Sequence, residues 1–369
     1  MGKHGITVRG DSLYCPLPLS VEPYWWCAPN CPHCYFRGLN HVWGKEWRPI
    51  DLDAFERKLV NGQRNANPRT TLAHCLARKK TMRVGNKTDP YQPIEAKLQR
   101  ATGAVKVLCE QDWTFVIQTR FITRAWNMTE ALLLAHPHLV TLLPIISPGA
   151  EQDWEQLERS RTEPIPSRLE TIQTALRAGL SVGVQGEPFI PGYHTEQQFR
   201  DMLARLKAIG VNRYNTYNFH FTAHVAKRLA AEVPQVDVER VWYYNQDEQW
   251  RPILGRLLDI ARDMDMVLGC PDFVNSGPEY RERANTCCGI DVPNPCTFNT
   301  HYFKQYAQDG MTAAEIIDAT YDGSGDPVVA EQIVRGQSSD MFTLRDAGTL
   351  PRDIPRGRRP SQSRGGFDL

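Results

Sequence analysis

Short apolar segments alternate with helical stretches from about residue 20 to residue 217, and this alternation restricts the chain to an α/β fold built on a parallel sheet. The apolar segments are Ser20–Trp26, Thr81–Val84, Thr114–Gln118, Leu139–Ile146, Leu180–Val184 and Arg213–Tyr217. Between them the spacing predicts helices over Asp51–Val60, Pro93–Val107, Asn127–Ala135, Ser167–Ala178 and Glu196–Ala208. Asn127 precedes Met128-Thr129-Glu130 in capping-box order, and Gly179 and Gly210 stand where left-handed C-caps belong. A further helical stretch, Val238–Met264, leads to the short apolar run Met266–Gly269. Strand–helix–strand units cross over right-handedly, and ligands gather at the C-terminal edge of such a sheet. The polar residues that follow each strand are therefore the ones to read for chemistry.

The first strand delivers the chain into Cys27-Ala28-Pro29-Asn30-Cys31-Pro32-His33-Cys34-Tyr35, a C-x3-C-x2-C run. Three thiolates on one loop can hold three irons of a [4Fe–4S] cluster and leave the fourth iron open to a chelating small molecule. Ferredoxin-type runs supply a fourth cysteine in series, and none follows here within the next few positions. The competing readings are free thiols, or a zinc knuckle that recruits His33 from inside the same tight loop. Cys270, Cys287, Cys288 and Cys296 form a second group amid Pro, Asn and Gly. Neighbouring side chains in an extended segment face opposite ways, which argues against simple core packing of Cys287 and Cys288. A second iron–sulfur cluster, a zinc site, a hydrogen-donating thiol and uncoordinated loop cysteines all remain open for that group.

Ten cysteines without an apolar leader favour a reducing compartment and metal ligation over disulfides, so the expectation is a cytoplasmic protein. No apolar run approaches the ~20 residues that span a bilayer. Lys and Arg number 43 against 42 acidic residues, a balance that excludes a uniformly basic, polyanion-coating surface but not a locally basic groove. The aromatic group Trp242-Tyr243-Tyr244 with Trp250 has helical spacing suited to core packing, with base stacking as the alternative.

After the second strand comes Gly85-Asn86-Lys87-Thr88-Asp89-Pro90-Tyr91-Gln92-Pro93-Ile94-Glu95, which alone describes a turn rich in Asp and Pro. In register with the cysteine loop, it resembles the radical SAM superfamily, in particular the TDPYQPxE stretch of the spore photoproduct lyase-like branch. Glu187-Pro188-Phe189-Ile190-Pro191-Gly192 is similar too, as is the run Glu163-Pro164…Arg168…Ile172…Ala178-Gly179. The matches reach from about Tyr24 to about Gly192. The resemblance implies a partial (β/α)6 TIM-type barrel over residues 20–235. A lead-in (1–19) precedes it, and a cysteine-containing extension (236–345) and a disordered basic tail (346–369) follow it.

For the chemistry, the resemblance implies that Cys27, Cys31 and Cys34 ligate a [4Fe–4S] cluster whose open iron binds S-adenosylmethionine. Tyr35 then lies near the adenine, Thr88 and Asp89 receive the methionine ammonium, and Arg120 holds its carboxylate. Ser147 and Glu187 are the candidates for the ribose. An external one-electron reductant drives cleavage to a 5′-deoxyadenosyl radical, which takes hydrogen from a substrate C–H bond. Where the branch carries a hydrogen-returning cysteine, this chain has Asn86, which cannot return a hydrogen atom. That departure points to a rearrangement or other C–H transformation of a thymine-derived nucleotide or DNA base, not photoproduct repair. His220, after the sixth strand, is the best of three histidine candidates, with His194 and His224, while Asn215 and Asn218 stand where a base edge or a strand end would use them. Two other functions stay open: a peptide-modifying radical SAM enzyme with an auxiliary cluster, and a non-enzymatic, metal-containing nucleic-acid-binding protein.

Overall fold

The computed structural model describes residues 3–8, 17, 19–36, 48–216 and 219–269. Strands β1 (Ile6–Val8), β2 (Leu19–Val21), β3 (Met82–Val84), β4 (Phe115–Thr119), β5 (Val140–Pro144) and β6 (Ser181–Val182) form one sheet in that order. β1 runs antiparallel to β2, and all other neighbours are parallel. β7 (Val184–Gln185), β8 (Arg213–Asn215) and β9 (Val267–Gly269) form a second, parallel sheet. Only Gly183 separates β6 from β7. Its N–H donates to the Leu142 carbonyl (3.0 Å), and Ile146 N–H donates to that of Gln185 (2.9 Å). The two sheets thus run into each other as the wall of an open, partial barrel.

All six expected strands are present, the fifth broken at Gly183. β1 adds an antiparallel edge from the lead-in. β9 arises from the Met266–Gly269 run and pairs with β8, so part of the 236–345 stretch shares the barrel wall.

Register explains the two faces. Val21, Val84, Ile117 and Leu142 lie side by side across four strands and belong to one buried core. Helices complete that core with residues at i, i+3 and i+4 spacing, such as Phe199, Met202, Leu203 and Leu206. Each such side chain contributes about 1.5–3 kcal/mol by burial. The alternate positions Ser20, Arg83, Val116 and Thr141 share the opposite, concave face, where Arg83 Nη1 donates to Gln118 Oε1 (2.5 Å). Trp250 is fully buried against Phe189, which places it in the core and not on a base-stacking surface.

Several helix ends differ from expectation. The start expected for the third helix, at Asn127, falls inside a helix that runs from Ile122 to Ala135. Its first turn is capped from a distance: the Glu163 carboxylate accepts from Thr123 N (2.7 Å) and Arg124 N (2.8 Å). A remote carboxylate satisfies those orphan amides, and no local cap is needed. The expected Pro93–Val107 helix divides into Glu95–Leu98 and Arg100–Glu110 at Gln99, whose φ is 51°. Val238–Met264 divides likewise into Val238–Tyr244 and Asp247–Asp263. Thr71–Ala77, capped by Thr70, was not anticipated. Gly179 (φ 84°) and Gly210 (φ 96°) do occupy the left-handed positions assigned to them. Among the described residues no helix is long and apolar enough to cross a membrane.

Candidate active site

The cysteine loop leaves β2 at the C-terminal edge of the sheet and is gripped at both ends. Gln92, itself fully buried, accepts from Ala28 N (2.7 Å) and donates to the Trp26 carbonyl (2.6 Å), bracketing Cys27. At the far end Arg228 donates to the carbonyls of Cys31 (2.9 Å) and Asn30 (2.9 Å). Asn30 adopts φ 53°, and Cys34 N–H closes a tight turn onto the Cys31 carbonyl (3.1 Å). Gln92 donates and accepts with one planar amide. Were the loop to hold iron, Gln92→Ala would weaken its retention by about 10–100-fold, as loss of a ligand-supporting partner does, measured as iron per chain after chelator challenge.

The segment after β3 is built onto the same loop. Asp89 N–H points to Cys27 Sγ at 3.5 Å. Thr88 Oγ1 donates to the Tyr24 carbonyl (2.9 Å), and the buried Glu22 carboxylate accepts from Lys87 N (3.1 Å) and Thr88 N (3.3 Å). Asp89 Oδ1 accepts from Thr119 Oγ1 (2.6 Å) and Tyr91 N (3.0 Å), and its Oδ2 accepts from Arg120 N (2.7 Å). A carboxylate offers about four acceptor positions, so Oδ2 keeps one. Glu95, the last residue of the motif, accepts from Ala101 N (3.0 Å), Thr102 N (2.8 Å) and the Tyr24 hydroxyl. Much of Thr88–Glu95 therefore acts as scaffolding. Asn86, partly buried, directs its N–H to Glu22 (3.4 Å).

Arg120 follows β4 and faces three groups at once. Its Nε donates to Glu158 Oε1 (3.0 Å), and its Nη2 donates to the Glu187 carbonyl (2.9 Å) and lies 3.5 Å from His33 Nε2. Glu158 also takes the buried Arg168 guanidinium and the Thr162 hydroxyl. Burial and the neighbouring Arg120 guanidinium lower the His33 pKa to about 3, so this imidazole is neutral at physiological pH. Ser147 is buried just beyond β5, and Glu187 forms a cis peptide with Pro188 beyond β7.

The histidine candidates separate clearly. His194 is buried: Ile190 N–H donates to its Nδ1 (2.8 Å), and Nε2 lies 2.9 Å from Asp153 Oδ2. That arrangement braces the turn after β7 against the Ala150–Gln156 helix. His224 is exposed at the start of the Ala223–Glu232 helix. His220 is the one brought to the cysteine loop, its ring 4.7 Å from that of Tyr35. Asn215 donates to Gln185 Oε1 (2.7 Å), joining β8 to β7, and Asn218 lies outside the described residues. Cys270, Cys287, Cys288, Cys296 and the 346–369 tail also lie outside them.

The donor set suits an iron–sulfur cluster. Burial raises the Cys27 thiol well above its ordinary pKa and that of Cys31 to about 12, so each holds its proton until a cation replaces it. Among the described residues no three His, Cys, Asp or Glu side chains converge on one metal ion.

Fold and site together define an α/β partial barrel with a three-cysteine loop at its C-terminal edge. The chain is 24% identical over 197 residues to the radical SAM Nα-GlyT isomerase of Pseudomonas phage M6. The aligned stretch covers 52% of this chain and 37% of that relative, so the chain matches well under half of the relative's length. Spore photoproduct lyase complexed with dinucleoside spore photoproduct has the same fold, with a TM-score of 0.53 at 13% identity over 72% of this chain and 79% of that one. A mutant of that lyase gives 0.51 at 13% identity, over 69% and 76%. No family model matches the chain. The resemblance read in Cys27–Tyr35 and Thr88–Glu95 is in keeping with both comparisons: over about half its length the chain is similar in sequence to a radical SAM isomerase, and its fold is similar to that of spore photoproduct lyase.

Proposed function

We propose that this chain reductively cleaves S-adenosylmethionine at a [4Fe–4S] cluster on Cys27, Cys31 and Cys34, and rearranges a nucleobase or thymine-derived nucleotide of DNA. The observation that carries the reading is the approach of Asp89 N to Cys27 Sγ (3.5 Å), which unites two motifs 62 residues apart at the C-terminal strand edge. What the cluster and cofactor supply there is one electron and a hydrogen-abstracting 5′-deoxyadenosyl radical, with an external one-electron reductant as the source.

The protein's own share is orientation and exclusion of water. Asp89 Oδ2 and Thr88 are set to receive an ammonium group. Arg120 is oriented by Glu158 and has no described partner at Nη1, which suits a carboxylate. Tyr35, backed by His220, is assigned to the adenine, and Ser147 and Glu187, each just beyond a strand end, are assigned to the ribose. Buried walls under the loop keep the site dry, which strengthens each polar contact.

Isomerisation is favoured over repair by Asn86, whose amide cannot return a hydrogen atom to a product radical. The relative named as an isomerase supports the reaction type, and the lyase complexed with a dinucleoside supports a nucleoside substrate. The test is anaerobic reconstitution with iron and sulfide, then dithionite and S-adenosylmethionine, with 5′-deoxyadenosine quantified by mass. Cluster-dependent 5′-deoxyadenosine, and deuterium transfer from labelled thymidine-containing DNA, are the expected results. Purified protein that retains zinc and forms no 5′-deoxyadenosine overturns the reading.

A further inference from the structure

The cysteine loop carries a cationic brace from the other end of the barrel. Arg228 lies on the Ala223–Glu232 helix, which follows β8, 197 residues from Cys31. Its side chain is 13% exposed, and three of its nitrogens are engaged at once. Nη1 donates to the Cys31 carbonyl (2.9 Å), Nη2 to the Asn30 carbonyl (2.9 Å) and Asn30 Oδ1 (3.2 Å), and Nε to Glu232 Oε1 (3.0 Å). Glu232 is itself held on its other oxygen by Arg159 Nη1 (2.7 Å). Arg161 Nη1 adds a longer contact to the Pro29 carbonyl (3.4 Å). A rigid planar fork serves the two successive carbonyls from separate nitrogens in fixed geometry, which the single nitrogen of a lysine ammonium does not reproduce.

Two consequences follow from this geometry. The carbonyls of Asn30 and Cys31 are fixed where the chain turns left-handed at Asn30, so the fork sets where the Cys31 thiol is presented. The same fork holds a positive charge against the loop with little water around it, where charge is weakly screened. Net charge and hydrogen bonding near a cluster are among the levers that set its reduction potential. A nearby cation favours the reduced, more negative form, and Glu232 partly cancels that effect.

We propose that Arg228 is a positioning residue for the cysteine loop and that its charge, opposed by Glu232, tunes the reduction potential of the cluster held there. The proposal rests on the iron–sulfur reading given above. It concerns a residue outside both the cysteine loop and the Thr88–Glu95 segment.

The experiment is a redox titration followed by electron paramagnetic resonance on reconstituted wild type, Arg228→Gln, Arg228→Lys and Glu232→Gln, with iron per chain measured in parallel. Arg228→Gln is expected to shift the reduction equilibrium roughly tenfold toward the oxidised form, about 59 mV to more negative potential for one electron, and to hold less iron. Arg228→Lys is expected to restore most of the potential but not the iron retention, because it keeps the charge and loses the fork. Glu232→Gln is expected to move the potential in the opposite direction. A wild type that takes up no iron overturns the iron–sulfur reading, and this proposal with it. Arg228→Gln with wild-type potential and iron content, in a wild type that does load, overturns the proposal alone. Should Arg228→Gln fail to fold by circular dichroism, Glu232→Gln decides: an unchanged potential there overturns the charge effect.

Discussion

Alanine at Cys31 is expected to reduce iron content and 5′-deoxyadenosine formation by more than about 100-fold, beyond what loss of a supporting partner costs. Cys31 is buried, its carbonyl is held by Arg228, and its thiol keeps its proton up to about pH 12 because of burial. Loading should accordingly release protons and proceed more readily as pH rises from about 7 to 9, the sign required when ligands must deprotonate. Cys75 supplies the contrast. It is fully buried on the Thr71–Ala77 helix, within the apolar core. Alanine there costs packing and leaves iron content intact. Iron and sulfide analysis with mass detection of 5′-deoxyadenosine, run on both variants, checks the pair. Equal iron in Cys31→Ala and wild type removes the cluster from this loop.

The second large effect is at Glu158. Replacing it with alanine is expected to cost about 3–5 kcal/mol, since the buried Arg168 guanidinium loses its carboxylate partner. In a chain of this size that lowers Tm by roughly 4–6 °C. Burial alone would raise the Glu158 pKa, but the Arg168 and Arg120 guanidiniums hold it down to about 2, from an ordinary 4.5. A carboxylate depressed in the folded state contributes its full stability above pH 4.5 and loses it as pH falls toward 2. Glu158→Gln should therefore flatten the acid limb of the wild-type stability profile, read by thermal unfolding between pH 2 and 6. Arg120 also loses its Nε partner, so KM for S-adenosylmethionine should rise more than kcat falls. Glu151 is the control. Its pair with Arg205 is half-exposed (50% and 37%), and alanine there should cost at most ~1 kcal/mol.

The pairing of these residues bears on how the site arises. Thr88–Glu95 looked in sequence like a cofactor motif, and its two ends carry different duties. Thr88 and Asp89 sit beside Cys27. Gln92 and Glu95 are turned into the protein, one holding the cysteine loop and the other capping the Arg100–Glu110 helix. A peptide segment that both presents polar atoms and anchors the neighbouring loop couples ligand geometry to loop geometry. Changes at Gln92 are then expected to appear in iron retention before they appear in the global fold.

What the sequence alone determined were features with local causes. Short apolar runs alternating with helical stretches marked every strand of the barrel wall from β2 to β8. The three cysteines, the left-handed Gly179 and Gly210, and the position of Thr88–Asp89 after a strand were equally legible, because residue type and spacing carry them. Tertiary structure decided the rest, through partners far apart in sequence. The Ile122–Ala135 helix begins where Glu163 reaches it from about 40 residues away, not at Asn127. The cysteine loop is held by Gln92 and Arg228 across separations of 64 and 197 residues. Gln92 stands within the recognised Thr88–Glu95 stretch, but nothing there marks it as the loop's anchor, and Arg228 stands in no pattern that distinguishes it from a surface guanidinium. Arg120 illustrates the boundary: its place after β4 was readable, but its orientation is set by Glu158 and the Glu187 carbonyl. Propensity and periodicity act within a few residues, whereas these hydrogen bonds exist only once the strands have been brought into register.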